Sequence, residues 1–331
     1  MLRTTIIRAF DGSLADAEGL LTVEKATFDE SPYTPEQVRT MLTGGPQRAW
    51  LAFSQDQVVG FVTAFCTAGL RGPCWEIDLL AVHPDWTGQG LATRLIRAAG
   101  TRGRAKPRCT RAVVATNNPG SARAFMRAGF RRAERCKLLI FRPREQTPLH
   151  WVAFNVTIRE VDEAELTGLF PARLPARLPA EMAPLDNGRP TTLPGQPPCQ
   201  EPALLLAEDR GQPLGYAELL EVQTLLYRGI WIESLVASTS AAHTPLVHEA
   251  LKRAAAAELD EIGMMAPEHD QAAPQYDEAA PEHDRAVQDT LRAAGFRSLG
   301  SFDWFRATLP LPGLASEAAE LQETPYREDH V

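Results

Sequence analysis

Two neighbouring stretches of this 331-residue chain hold residues whose types and spacing can do chemistry. The first is Leu80-Ala81-Val82-His83-Pro84-Asp85-Trp86-Thr87-Gly88-Gln89-Gly90-Leu91-Ala92-Thr93. An apolar, strand-like run enters a turn with two glycines, and a helical pattern of apolar residues (Leu91, Leu95, Ile96, Ala99) leaves it. Gly88 and Gly90 permit tight backbone geometry and close approach by a ligand. The helix start presents unpaired N–H groups and the positive end of its dipole to the loop, an arrangement suited to a pyrophosphate. The second stretch holds Glu76 and Asp78, just upstream on the same run. In a regular strand, alternation places Glu76, Asp78, Leu80 and Val82 on one face. Two adjacent carboxylates raise the pKa of one of them, which suits a general base.

Other glycine-loop chemistries fit poorly. A dinucleotide-binding turn needs an acidic residue about 20 positions later, and no Asp or Glu occurs between Asp85 and Glu134. The phosphate loop of nucleotide hydrolases needs Gly-Lys, a dipeptide that is missing from the sequence. Cys66, Cys74, Cys109, Cys136 and Cys199 lack C-x-x-C spacing and read as small buried hydrophobes, not as a disulfide framework or zinc cage. Cys136 has no histidine near it in sequence to activate it as a nucleophile. His269 and His283 fall in a repeated Ala-Pro-Glu-His-Asp, at 266–270 and 280–284, that reads as disordered and not as a metal site. No metal is expected.

The elements that must position these residues alternate clearly in the first half. Thr4–Phe10 reads as a strand. Ser13 caps a helix to about Phe28, and Thr34 caps another from Pro35 to about Leu42. Ala49–Ser54 and Val58–Cys66 read as a hairpin, and Cys74–Val82 as a further strand. Helix 91–103, strand 111–115, helix 121–128 and two closing strands within 130–142 complete the unit. The second half repeats the outline: Leu214-Gly215-Tyr216 answers Val59-Gly60-Phe61, and Ala294-Gly295-Phe296-Arg297 answers Ala128-Gly129-Phe130-Arg131. The expected architecture is α/β: two domains, 1–148 and 149–310, each a mixed, mostly antiparallel sheet flanked by helices. A proline-rich loop at 171–202 and an acidic tail at 311–331 are the exceptions.

Charge divides along the same line. Residues 1–150 carry 21 Lys and Arg against 13 Asp and Glu; residues 151–331 carry 13 against 29. The basic half has no stacking platform of aromatics among its arginines, so a small polyphosphate fits it better than nucleic acid. The start, MLRTTIIRAF, lacks a signal-peptide pattern, and no apolar run approaches a membrane span. A cytoplasmic protein without membrane or nucleic-acid partners is expected.

These motifs resemble those of the GNAT superfamily of N-acetyltransferases. Its pattern is V-x-P followed by Arg/Gln-x-x-G-x-Gly/Ala. Val82-His83-Pro84 and Thr87-Gly88-Gln89-Gly90-Leu91-Ala92 match it, with Thr87 in place of Arg or Gln. A second motif, N-x(6)-Tyr-x(3)-G-F, is matched in spacing by Asn118, Phe125, Gly129 and Phe130, with Phe125 in place of Tyr. The resemblance implies acetyl-CoA as co-substrate. It implies that Leu80, Ala81 and Val82 pair with pantetheine, that Gly88, Gln89, Gly90, Leu91, Ala92 and Thr93 wrap the pyrophosphate, and that Asn118 and Phe125 flank the pantetheine arm. Arg97, Arg102 and Arg104 are candidates for the adenosine phosphate. Glu76 is the expected general base, with Asp78 holding a cationic amine. The oxyanion donor is a backbone N–H near Leu80 or Val82, and the tyrosine's role as thiolate acid is vacant at Phe125. Tyr33 is expected to border the acceptor pocket.

In the second half the corresponding loop, Ser238–Pro245, has lost both glycines. That half reads as a degenerate copy which shapes the pocket, with Glu233 facing it. The expectation is a monomeric or homodimeric enzyme that moves an acetyl group directly to a primary amine, cationic and carried by a small molecule or peptide. The alternative is a non-catalytic acyl-CoA-binding or sensing module, favoured by Phe125 and Thr87.

Overall fold

The computed structural model describes residues 4–28, 32–101, 109–145, 154–170, 201–237, 240–268 and 280–307. The first half runs β1 (Ile6–Ala9), α1 (Leu14–Phe28), α2 (Pro35–Gly44), β2 (Arg48–Ser54), β3 (Gln57–Gly69), β4 (Gly72–Val82), α3 (Leu91–Thr101), β5 (Cys109–Ala115), α4 (Pro119–Arg127) and β6 (Arg131–Phe141). The second runs β7 (Thr157–Val161), α5 (Glu163–Leu169), β8 (Ala203–Asp209), β9 (Gln212–Gln223), β10 (Arg228–Ala237), α6 (Ser240–Ala256), β11 (Glu261–Pro267), α7 (Ala280–Ala293) and β12 (Arg297–Ala307). The anticipated helix starts are present. Ser13 Oγ accepts from the Asp16 N–H, and Thr34 and Gln37 form a reciprocal capping box.

Two expectations change. The span 130–142 holds one long strand, β6, not two. The second Ala-Pro-Glu-His-Asp opens α7, where Val287 and Leu291 supply a buried face; His269 of the first lies outside the described residues. No helix among the described residues is long and apolar enough to cross a membrane.

The two expected sheets are joined into one of twelve strands, ordered β1-β2-β3-β4-β5-β12-β6-β11-β10-β9-β8-β7. The closing strands have changed places. β6 lies antiparallel to β11 of the second half, and β12 lies antiparallel to β5 of the first. The pair β6–β12 forms the seam. Helices α3 and α4 pack on one face over Trp75, Ile77, Ala112 and Phe305, while α6 and α7 continue that layer over Leu139, Ile232 and Ile262. Helices α1 and α2 cover the opposite face of the first half.

A second exchange reinforces the first. Leu70, at the tip of the β3–β4 hairpin, packs among Leu166, Leu204, Leu206 and Tyr216 of the second half. Leu225, at the tip of the β9–β10 hairpin and 155 positions further on, packs among Leu20, Val38, Leu51 and Leu79 of the first. Phe65 of β3 meets Leu220 and Val222 of β9. Glu218 of β9, fully buried, accepts from the Leu70 N–H at 2.7 Å and from Ser234 Oγ at 3.2 Å. Gly69 makes room for this contact, since a Cβ there would meet Glu218 Oε1 at 2.6 Å. Cys66 and Cys74 are each disulfide-bonded. That corrects the reading of these two cysteines as unpaired small hydrophobes, which rested on sequence spacing alone.

Cutting the chain at residue 148 would strip β5 of β12 and leave β6 without either neighbour. A first half expressed alone, residues 1–148, is therefore expected to lose cooperative thermal unfolding and to aggregate. A monomeric fragment with a sharp melting transition would contradict the strand exchange.

Candidate active site

The site begins with an irregularity in β4. One β3 residue, Thr63, stands opposite two β4 residues, Asp78 and Leu79, between the pairs Ala64–Ile77 and Val62–Leu80. Such a bulge turns the later side chains over. Trp75 and Ile77 face the α3/α4 layer, and so do Leu80 and Val82, three and five residues beyond Ile77. Leu79 and Ala81 face α1 and α2. Glu76 and Asp78 therefore do not share a face with Leu80 and Val82, as regular alternation would require. The amide displaced by the bulge is satisfied: Leu79 N–H donates to Thr63 Oγ1 at 3.1 Å.

Pairing of β4 with β5 ends at the same point. The parallel ladder runs only from Cys74–Cys109 to Ile77–Ala112. Beyond it β5 continues against β12 while β4 continues against β3, so the two diverge and open a cleft. On the β4 wall, backbone groups of residues 78–82 that point toward β5 have no strand partner. At the cleft's end, Gly88 and Gly90 take left-handed φ of 76° and 77°, with open space in front of both. Gln89 between them is exposed. Leu91 and Ala92 anchor α3 into the core, and Thr93 Oγ1 donates to the Ala124 carbonyl at 3.4 Å, leaving only its backbone for a ligand. The start of α3 thus faces the cleft as an anion site.

The other expected residues stand as follows. Asn118 Oδ1 caps α4, accepting from Ser121 N–H at 3.0 Å. Phe125 is buried, edge-on to Phe130 at 5.1 Å and stacked on Phe305 at 5.9 Å; it is a core residue at the foot of α4. Arg97 donates to the Arg127 carbonyl; Arg102 and Arg104 lie outside the described residues. Tyr33 packs against the α1/α2 core, which includes Leu79 and Leu225, and burial first, then the charges of Asp260 and Glu24, raise its pKa.

The two carboxylates have different surroundings. Glu76 is clasped by Arg111 of β5, whose Nε and Nη2 donate to it at 2.9 and 2.5 Å, while Thr67 Oγ1 donates at 2.8 Å. The same guanidinium reaches Glu233 of β10 at 2.5 Å, so one buried arginine joins a carboxylate from each half. Asp78 has no cationic partner among the described residues. Burial pushes its pKa up to about 7; the negative charge of Glu76 adds to this, and hydrogen bonds from Gln47 and Thr63 oppose it. Gln47, itself buried, donates through Nε2 to Asp78 at 2.8 Å and to Thr63 at 3.0 Å. Its Oε1 is buried without a donor among the described residues.

Sequence motifs gave no hint of Gln47, Thr63, Arg111 or Tyr227. Tyr227 arrives on the exchanged β9–β10 turn, which is tightened by Thr224 accepting from the N–H groups of Leu226 and Tyr227. Its hydroxyl is deeply buried, with its pKa raised well above the usual value by desolvation and then by Asp78, Glu261 and Glu76. The second half therefore completes the carboxylate side of the first half's cleft.

The second half repeats the bulge and the split. β10 pairs with β11 only from Gly229–Glu261 to Ile232–Met264, with an irregularity at Glu233. Its cleft is filled by the protein itself. His283 Nε2–H donates to the Leu235 carbonyl at 3.2 Å, and the buried His243 ring stands 5.2 Å from the His283 ring. Desolvation, then the neighbouring His283, lower the His243 pKa to about 4, so it stays neutral. With the glycines gone and imidazoles in the gap, this copy is closed.

With this geometry in view, the comparisons are informative. Residues 18–130 match the family model described as the acetyltransferase (GNAT) family. No curated protein matches the chain. Among solved structures, a GCN5-related N-acetyltransferase from Sphaerobacter thermophilus is similar at 15% identity and a TM-score of 0.53, over 92% of this chain and 95% of the other. A tandem GNAT protein from the clavulanic acid biosynthesis pathway is similar at 14% identity and a TM-score of 0.50, over 92% and 98%. The glucosamine N-acetyltransferase region of a fungal multi-domain β-N-acetylglucosaminidase is similar at 14% identity and a TM-score of 0.52, over 92% of this chain and 38% of that one. At these identities the structures establish the fold. Residues 18–130 thus match the acetyltransferase (GNAT) family, and the whole chain shares the fold of these two-domain structures.

Glu76→Gln would leave buried Arg111 with one carboxylate. It is expected to cost about 3 kcal/mol of unfolding free energy in a denaturant titration; an unchanged midpoint would show the clasp to be idle. Asp78→Asn should do the reverse. The raised Asp78 pKa means the native state keeps a proton that the unfolded chain has lost, so stability falls as pH climbs from about 4 through about 7. At pH 8 the Asn variant should melt no lower than the parent, whereas a clear loss of Tm there would contradict the buried, uncompensated carboxylate.

Proposed function

We propose that the chain is an acetyl-CoA-dependent N-acetyltransferase with one working cleft, in its first half, acting on a primary amine of a small molecule or peptide. The observation that carries this reading is the divergence of β4 from β5, which sets an anion-binding glycine turn at one end of the gap and the carboxylate pair at the other. Bound acetyl-CoA supplies the thioester: the amine attacks its carbonyl carbon, a C–N bond forms, the C–S bond breaks and the thiolate departs.

The protein's part divides among its residues. Gly88 and Gly90 and the first amides of α3 hold the diphosphate, and the unpaired β4 edge at 79–82 holds the amide arm and supplies a backbone donor to the oxyanion. Asp78 takes the amine proton. Its pKa of about 7 suits an acceptor near neutrality, whereas the oxygens of Glu76 are engaged by Arg111 and Thr67. Glu76 is assigned a positioning role, as the anchor of Arg111. Gln47 Oε1, buried and without a donor, is a ready acceptor for an amine N–H. The acidic second half favours a cationic acceptor. Phe125, in the core, supplies no proton; the thiolate leaves to water or to a group on the acceptor side, where Tyr227 stands.

The second reading, a non-catalytic acyl-CoA binder, draws on that apolar Phe125 and on Thr87. Steady-state thioester turnover with a panel of amines separates the two. Turnover is expected, with kcat/KM rising through about pH 7 to a plateau as Asp78 ionises. Asp78→Asn should lower kcat by about 10²- to 10⁴-fold while coenzyme A affinity is kept. Binding without turnover of any amine would favour the binder, and an unchanged Asp78→Asn rate would remove Asp78 from the mechanism. Gly88→Val, which forces a β-branched residue to a left-handed φ, should weaken coenzyme A binding measured by calorimetry by at least about tenfold; unaltered affinity would argue against this loop as the diphosphate site.

A further inference from the structure

Beyond the carboxylates, the sheet face between the halves holds a cluster of arginines that the proposed chemistry does not use. Arg111 lies directly across from Glu76 on β5, and Arg306 of β12 lies directly across from Arg111. Arg306 stacks its guanidinium 5.2 Å over the Trp304 ring, which Arg111 also approaches at 5.2 Å. Arg71 comes in from the β3–β4 turn, close enough that its charge, with that of Arg111, adds to desolvation in lowering the Arg306 pKa. Three cations thus share one face. Arg111 is matched by Glu76 and Glu233. Arg71 and Arg306 are different: the Nε of each is buried with no hydrogen-bond partner, and neither makes an ion pair among the described residues. Glu134 and Glu233 act on Arg306 only at a distance.

Half-buried guanidiniums without an anion are unfavourable, because each has lost water without gaining a carboxylate. Their forked donors match a carboxylate in geometry. Arg306 stands two strand spacings from Glu76, about 10 Å, and Asp78 is two residues further along β4.

We infer that Arg71 and Arg306 form a subsite for a carboxylate of the amine acceptor, which is thus a molecule with a primary amine and a carboxylate about 10 Å apart, the span of an extended tripeptide. The inference rests on the N-acetyltransferase reading, which places the amine at Asp78. It reconciles an acidic pocket wall, suited to the amine, with the basic cluster beside it. Free α-amino acids are too short to reach both ends.

The test compares Gly-Gly-Gly with its C-terminal amide and with glycine, in the full chain and in Arg306→Gln and Arg306→Lys. In the parent, kcat/KM for the free acid should exceed that for the amide by about 10- to 100-fold, with glycine poor. Arg306→Gln should abolish that ratio by raising KM for the acid alone, and Arg306→Lys should restore part of it. A fall of acid and amide together would mark Arg306 as structural, and equal rates for acid and amide in the parent would overturn the subsite. A second measurement is independent of turnover: calorimetry of N-acetyl-Gly-Gly-Gly against its amide, with coenzyme A present. Preferential binding of the acid, lost in Arg306→Gln, supports the subsite even should no amine be acetylated, in which case it is the proposed activity that fails. Equal binding of the two acetylated peptides overturns the subsite whatever the turnover.

Discussion

One displaced residue in β4 governs the site. Where Thr63 faces both Asp78 and Leu79, the strand turns over and pulls away from β5. Without the bulge, Asp78 and Leu80 would share a face and the two strands would stay zipped. With it, Leu80 and Val82 pack toward α3 while the two carboxylates look to the other side, and a length of backbone is left without a partner strand. Exposed ladder groups in a protein interior are costly unless something pairs with them, so this gap is best understood as a place for a ligand that can hydrogen-bond like a strand. Gln47 and Thr63 stabilise the irregularity with hydrogen bonds to the residues it displaces.

The tandem arrangement makes the two halves interdependent. Each lends the other its closing strand and the tip of its central hairpin. The buried Arg111 sits at that junction with one carboxylate from each side. Divergence of the two copies then has a physical logic. The first kept its glycines and an open gap. In the second, His283 donates to the Leu235 carbonyl that stands where Leu80 stands in the first, and its hairpin contributes Tyr227 to the neighbouring site. Under the proposed function, the second copy serves as a wall of the first copy's pocket.

Much of this was legible in the sequence. Helix caps, the glycine turn, the hairpin and the weak internal repeat are local signals, and the elements they predict are present with shifts of a residue or two. What local patterns could not convey was pairing at long range. The exchange of β6 and β12, the disulfide bonding of Cys66 and Cys74, and the arrival of Tyr227 and Glu233 beside β4 depend on which segments meet. The ranking of Glu76 over Asp78 rested on regular alternation and on resemblance, and an extra residue in one strand altered the environment of both. Arg111 was invisible for the same reason: nothing in its own segment marks it as the partner of carboxylates 35 positions before it and 122 after it.

The most direct test is amide hydrogen exchange of the whole protein with and without coenzyme A. Slowed exchange confined to residues 79–82 and 88–93, with residues 234–247 unchanged, is the expected pattern. Protection that appears instead around Leu235 and His243, or in neither half, would contradict the assignment of the open cleft to the first copy.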